Sequence, residues 1–287
     1  MTDQSVVIIG LPASGKTTFL AALWHLITER EFPTSLRFNN LRSGDVTYLN
    51  EIATLWRDAK KQDRTAVGGS RIVSMNLMNA QQSPLRVTFP DLPGEAYLRM
   101  WEDRDCEQEV ADVMNAGGVL LFVHADTINA PQWVIDEVVL SQHLNVEMVK
   151  GQEVEWHARL APTQVQLVDL LQLLRTSPLD IGPRKLAIML SAWDKAEDEG
   201  LSPQEYLIEK LPLLAQYLAC GADDWSWQVY GISAQGGDYD NTDLGTTPSE
   251  DAERLRNLDS PSLRIQLVRS NQDNSNDITE PLAWLME

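Results

Sequence analysis

With 287 residues, the chain is long enough to bury a large α/β core without disulfide staples. Its 42 acidic residues against 23 basic ones give a formal charge of −19, which repels polyanions and argues against DNA, RNA or an anionic membrane face as a partner. The two cysteines, Cys106 and Cys220, show neither a pairing pattern nor metal-ligand spacing; the N-terminus lacks a secretory signal; and no apolar run reaches the roughly 20 residues of a bilayer span. A cytoplasmic protein is expected.

Val6 to Ile9 is an unbroken β-branched run ending at Gly10, as in a strand buried on both faces of a parallel sheet. Phe19, Leu20, Leu23, Trp24, Leu26 and Ile27 then recur at helical spacing and predict a helix from Thr17 to about Arg30. A second helix is predicted over Val46 to Lys60, carrying Leu49, Ile52, Ala53, Leu55 and Trp56. Lys60 to Ser70 is polar and glycine-rich, a loop by composition. Arg71 to Met78 reads as a strand, and Leu85, Val87 and Phe89 alternate with Arg86 and Thr88, so the two form an antiparallel hairpin whose second member ends at Asp91.

Gly117 to Val123 and Leu186 to Leu190 read as further buried strands, and Val229 to Ile232 as the strand that closes the sheet. Tyr206 to Ala219 has helical periodicity, with Pro212 marking a kink or a restart. The alternation predicts an α/β fold: a mostly parallel sheet with one antiparallel edge strand and helices on both faces. Two stretches exceed that plan, near 126–160 and 236–276, and the second, rich in Asp, Asn, Ser, Gly and Thr, is expected to be partly disordered. A Thr-Glu-Pro start before Leu282, Trp284 and Leu285 predicts a short final helix. One domain spanning 1–287 is the simplest organisation.

Gly10-Leu-Pro-Ala-Ser-Gly15-Lys16-Thr17 matches G-x-x-x-x-G-K-[ST] in full, between a predicted strand and a predicted helix. Glycines let backbone N–H groups turn inward around a phosphate at a helix N-terminus, where the partial positive charge favours an anion. Gly10, Pro12, Ala13, Ser14, Gly15, Lys16, Thr17 and Thr18 are therefore expected to wrap the nucleotide phosphates. Lys16 is expected to neutralise the β- and γ-oxygens and Thr17 to take one Mg²⁺ site.

Asp91-Leu-Pro-Gly94-Glu95 follows a predicted strand and resembles the D-x-x-G element of Ras-like GTPases, which implies Asp91 at the magnesium and the Gly94 amide at the γ-phosphate. Glu95 stands where many such GTPases carry the glutamine that orients the attacking water, and Pro12 sits where bulk obstructs an arginine finger; slow or partner-assisted hydrolysis is expected. Thr65, in the polar loop, is the candidate switch threonine and a second magnesium ligand.

Ser191-Ala192-Trp193-Asp194-Lys195 ends a buried strand and resembles the [NT]-K-x-D guanine element with its first two positions replaced. A carboxylate accepts the paired N1–H and N2–H donors of guanine, which adenine lacks, so Asp194 is the expected base reader, with Trp193 or Lys195 in place of the lost lysine. Ser233-Ala234-Gln235 follows the next strand and resembles the S-A-[KL] element, whose backbone N–H meets guanine O6.

The order of these elements resembles a Ras-like P-loop GTPase over roughly residues 5 to 235, and Glu280-Pro-Leu-Ala-Trp284, Arg64-Thr65 and Asp91-Leu-Pro-Gly94 together look most like the bacterial double-GTPase families of the TRAFAC class. The resemblance implies a Mg²⁺-dependent GTP/GDP switch with a protein partner, in families associated with bacterial conflict systems. An ATP-using P-loop enzyme and a catalytically silent nucleotide-binding module remain as alternatives.

Overall fold

A computed structural model describes residues 4–61, 71–91, 100–131, 135, 143, 155–221, 224–241 and 249–287. Its strands in chain order are β1 (Gln4–Gly10), β2 (Arg37–Ser43), β3 (Arg71–Met78), β4 (Pro84–Asp91), β5 (Gly118–His124), β6 (Arg184–Ser191), β7 (Trp225–Ser233), β8 (Gln266–Val268) and β9 (Asn274–Ser275). The helices are α1 (Lys16–Glu29), α2 (Val46–Arg57), α3 (Gln108–Met114), α4 (Thr163–Leu173), α5 (Pro203–Lys210), α6 (Pro212–Cys220), α7 (Glu250–Arg256) and α8 (Glu280–Trp284). Among the described residues the strands form one nine-stranded sheet in the order β2-β3-β4-β1-β5-β6-β7-β8-β9.

The centre of the sheet is parallel: β4 and β5 flank β1, and β6 and β7 follow in turn. Chain order reverses across β1, which creates the topological switch point where α/β sheets bind ligands beyond the carboxyl ends of their strands. Alternate residues of β1 face opposite layers. Val6 and Ile8 join the core formed with α1, α2 and the C-terminal helix, whereas Val7 and Ile9 join the core formed with α3, α4, α5 and α6.

The edges are more elaborate than the sequence pattern suggested. The β3–β4 hairpin is antiparallel as expected, but β2 pairs outside β3, and its register slips twice, between Phe38 and Asn40 and between Leu41 and Ser43. Those slips break the period of two, so Arg37-Phe-Asn-Asn-Leu-Arg-Ser carries no readable alternation. At the other edge β7 does not close the sheet; β8 and β9 lie beyond it. Within the 236–276 stretch, expected to be partly disordered, residues 249–276 are ordered: Ala252, Leu255, Ile265 and Leu267 are fully buried and tie a polar segment to the core. Short strands and single apolar anchors of this kind leave no compositional trace.

Local chemistry sets the helix ends. Helix α2 stops at Arg57 rather than Lys60, because Ala59 turns to positive φ and the Lys60 backbone bridges to Asp240. Pro212 marks a restart: it stands at the first position of α6, where its missing N–H costs nothing. Helix α5 begins with a capping box between Ser202 and Glu205.

A close approach fixes the segment after β6. The Trp193 ring lies flat against Gly231, where a Cβ would come within 2.4 Å of it, and its edge meets Tyr206 at a centroid distance of 5.4 Å. Gly231→Ala should push the indole out of this slot and lower stability by about 1–3 kcal/mol, read as a drop in Tm.

A second prediction concerns pH. His25 is buried beside Trp56 at a ring distance of 5.0 Å, and burial lowers its pKa below the ordinary value of 6.5; His124 is lowered in the same direction for the same reason. The unfolded chain protonates these imidazoles near 6.5 while the folded chain resists, so the stabilisation is complete above that pH and is lost as pH falls below it. Thermal melting across pH 8 to about 5 should show a plateau and then a decline, with a shallower decline for His25→Gln.

Candidate functional site

The loop from Gly10 to Gly15 joins β1 to α1 at the switch point. A Cβ at Gly10 would lie 2.5 Å from the Phe122 carbonyl oxygen, and Ala13 and Gly15 adopt positive φ, so the loop curls tightly over the sheet. Gly15 caps α1 with no side-chain acceptor, which leaves the first-turn amides of Lys16, Thr17 and Thr18 facing the loop mouth with the positive helix end behind them. Lys16 Nζ donates to the carbonyls of Gly10 at 2.8 Å and Leu11 at 2.9 Å and lies 3.3 Å from Ser14 Oγ, so the ammonium is held across the concave side. Pro12 and Ala13 are exposed at the rim, and Ser14 is buried.

Ser191, at the end of β6, ties this loop to the rest of the sheet. Its Oγ donates to the Ser14 carbonyl at 2.9 Å and approaches the Val123 carbonyl at 3.4 Å, and a Cβ on Gly15 would come within 3.2 Å of the Ser191 Cβ. The sequence marked Ser191 only as a replacement of the usual polar residue. Its tethering role depends on β6 reaching the loop across β5, which no local pattern reveals.

Beyond Ser191, Ala192 takes the left-handed conformation and starts a 3₁₀ turn over Trp193–Lys195. Asp194 then faces the end of β7: Ser233 Oγ donates to Asp194 Oδ1 at 2.7 Å and accepts from the Gly236 amide at 3.2 Å. The carboxylate is thus held by one oxygen. Trp193 is not available to lie along a base, since its ring is 2 % exposed beneath β7. Lys195 is exposed and pairs with Asp238 at 3.4 Å and Asp126 at 3.7 Å, and Asp238 above all raises its pKa. Ala234 is nearly buried, its carbonyl accepting from Trp56 Nε1 at 2.7 Å, and Gln235 Nε2 donates to the Gly237 carbonyl at 2.7 Å. A cleft of about 410 Å³ opens beside this corner, with Asp194, Ser233, Gly236, Arg254 and Gln266 in its walls.

The fold therefore brings Gly10 to Thr18, Asp194, Lys195 and Ser233 to Gln235 to the carboxyl ends of β1, β6 and β7. Asp91 ends β4, three residues past Thr88, whose partner Val7 stands three residues before Gly10, so the two strands finish together. Thr65, Gly94 and Glu95 lie outside the described residues. Among the described residues no cluster of His, Cys, Asp and Glu forms a metal site of its own, and no helix is long and apolar enough to cross a membrane.

Among solved structures, the chain is similar to the signal recognition particle receptor SRb-GTP/SRX complex from Chaetomium thermophilum, at 13 % identity and TM-score 0.39 over 89 % of this chain and 96 % of that one. It is also similar to the S. cerevisiae Ski7 GTPase-like domain bound to GTP, at 13 % identity and TM-score 0.41 over 88 % of this chain and 49 % of that one. A third likeness is the small COPII coat GTPase SAR1 from Encephalitozoon cuniculi in complex with GDP, at 12 % identity and TM-score 0.31 over 92 % of this chain and 77 % of that one. No curated protein matches. The assignment rests instead on the P-loop at the switch point of an α/β sheet and on the match of residues 7–285 to one family model, Double-GTPase 1. The chain belongs to the Double-GTPase 1 family, with the α/β fold of a Ras-like P-loop GTPase.

Proposed function

We propose that this chain binds GTP and GDP with Mg²⁺ at the carboxyl ends of β1, β6 and β7 and works as a switch read by a protein partner. The observation that carries the reading is the fixed carboxylate of Asp194, held by Ser233 at 2.7 Å on the same sheet edge as the P-loop. One Asp194 oxygen is committed to Ser233, and the other remains to accept from the guanine N1–H and N2–H edge. Phosphate charge is met by the amides of α1's first turn and by Lys16.

The donors offered to a metal are two hydroxyls and a carboxylate, Thr17, Thr65 and Asp91, hard oxygen ligands of the kind magnesium takes alongside phosphate and water. Bound magnesium would neutralise developing charge on the phosphates. Thr65 and Gly94 are assigned to the γ-phosphate and Glu95 to the attacking water, whose proton its carboxylate can accept although the like-charged phosphate repels that carboxylate from the reacting position. Hydrolysis is then slow without a partner. Pro12, exposed at the rim of the loop, favours a second reading in which nucleotide is held without turnover.

Isothermal titration in Mg²⁺ should give GTP and GDP affinities at least about a hundredfold above ATP, with Lys16→Ala weakening both guanine nucleotides about 10- to 100-fold and Asp194→Ala removing the preference over ATP. Equal affinity for ATP overturns the guanine assignment. Phosphate release in a single turnover separates switch from silent module: slow release, absent in Lys16→Ala, is expected, and none at all supports the second reading.

A further inference from the structure

We propose that Trp56 positions the base-reading loop, making α2 part of the apparatus that distinguishes guanine. The inference rests on the base-reading role given above to Ser233, Ala234 and Gln235. Strand β7 ends at Ser233, so Ala234 lies beyond its sheet pairings. Its carbonyl instead accepts the indole N–H of Trp56 at 2.7 Å, across 178 residues of sequence. In a planar trans peptide the C=O and the following N–H point in opposite directions. Drawing the Ala234 carbonyl towards α2 therefore turns the Gln235 N–H away from the core and fixes the plane between them.

Trp56 is itself held on several sides. It is fully buried, and the Arg264 guanidinium lies 4.7 Å over its ring while Nη1 donates to the Trp56 carbonyl at 2.6 Å. The other Arg264 bonds run to the Arg57 carbonyl at 3.1 Å, the Leu255 carbonyl at 2.9 Å and the Tyr239 hydroxyl at 3.1 Å. This cation thus joins the carbonyl-rich ends of α2 and α7, where a positive charge is favoured. The far side of the loop is held by the same end of α2: the Asp240 amide donates to the Ala59 carbonyl at 3.0 Å, and the Lys61 amide donates to the Asp240 carbonyl at 2.7 Å. Asp194 fixes the loop at Ser233, and α2 fixes it at Ala234 and at Asp240.

The test is the ratio of GTP to ATP affinity, measured by isothermal titration in Mg²⁺. Trp56→Phe keeps an aromatic ring and removes the N–H. It should lower the ratio about tenfold while leaving ATP affinity in place, since the phosphate loop is untouched. Trp24→Phe is the control: its Nε1 donates to Asn50 Oδ1 at 2.9 Å on the α1–α2 contact, so its loss costs a similar bond without touching the base loop, and the ratio should not move. If Trp56→Phe fails to fold, replacement of Trp56 by β-(3-benzothienyl)alanine keeps the bicyclic outline and deletes only the donor. An unchanged ratio, or an equal loss for GTP and ATP, overturns the positioning role. Absence of guanine preference in the unaltered protein is a different failure: it removes the functional reading first, and the role of Trp56 with it.

Discussion

The hydrogen bond from Ser191 to the Ser14 carbonyl is the contact on which the site's geometry turns. A phosphate loop alone is a curl of backbone between a strand and a helix, with its amides aimed only as well as the curl is held. Ser191 holds it from the end of β6, two strands away from β1, and so gives the loop and the 3₁₀ turn carrying Asp194 a common origin. The phosphate loop and the turn carrying Asp194 then share one frame, the parallel centre of the sheet, which is buried on both faces.

Close packing at two glycines supports that frame. Gly10 lets the loop pass against the Phe122 carbonyl, and Gly231 lets the Trp193 ring settle on β7. The second contact explains a departure of this chain from the usual guanine element. The aromatic side chain next to Asp194 acts as an anchor driven into the core, and the polar tip of the turn is left to Asp194 and Lys195. Lys195, flanked by Asp126 and Asp238, is a charge already engaged by its surroundings.

The periphery carries a further layer. Helix α2, the antiparallel strands at both edges and the segment from α7 to β9 surround the parallel centre, and Arg264 knits several of them together through backbone carbonyls. A buried guanidinium with such partners depends on all of them being in place, so the surrounding elements act as one brace around the corner formed by the ends of β6 and β7. Cations at or beside this corner include Lys16 in the loop, Lys195 on the turn, and Arg254 and Arg264 in the walls of the adjacent cleft.

The phosphate loop, the strands β1, β4, β5, β6 and β7, helix α1 and the strand-end positions of Asp91, Asp194 and Ser233 were legible in the sequence. Each is local: a β-branched run, a helical period or a motif of fixed spacing expresses its physics within a dozen residues. Strand β2 was not legible because its bulges erase the alternation, nor were β8 and β9, which are two or three residues long and owe their existence to the exposed edge of β7. The tether of Ser191, the burial of Trp193 against Gly231 and the bond from Trp56 to Ala234 were decided by tertiary structure alone. Each joins residues from distant parts of the chain, and only the order in which the strands are laid side by side brings such donors and acceptors within reach.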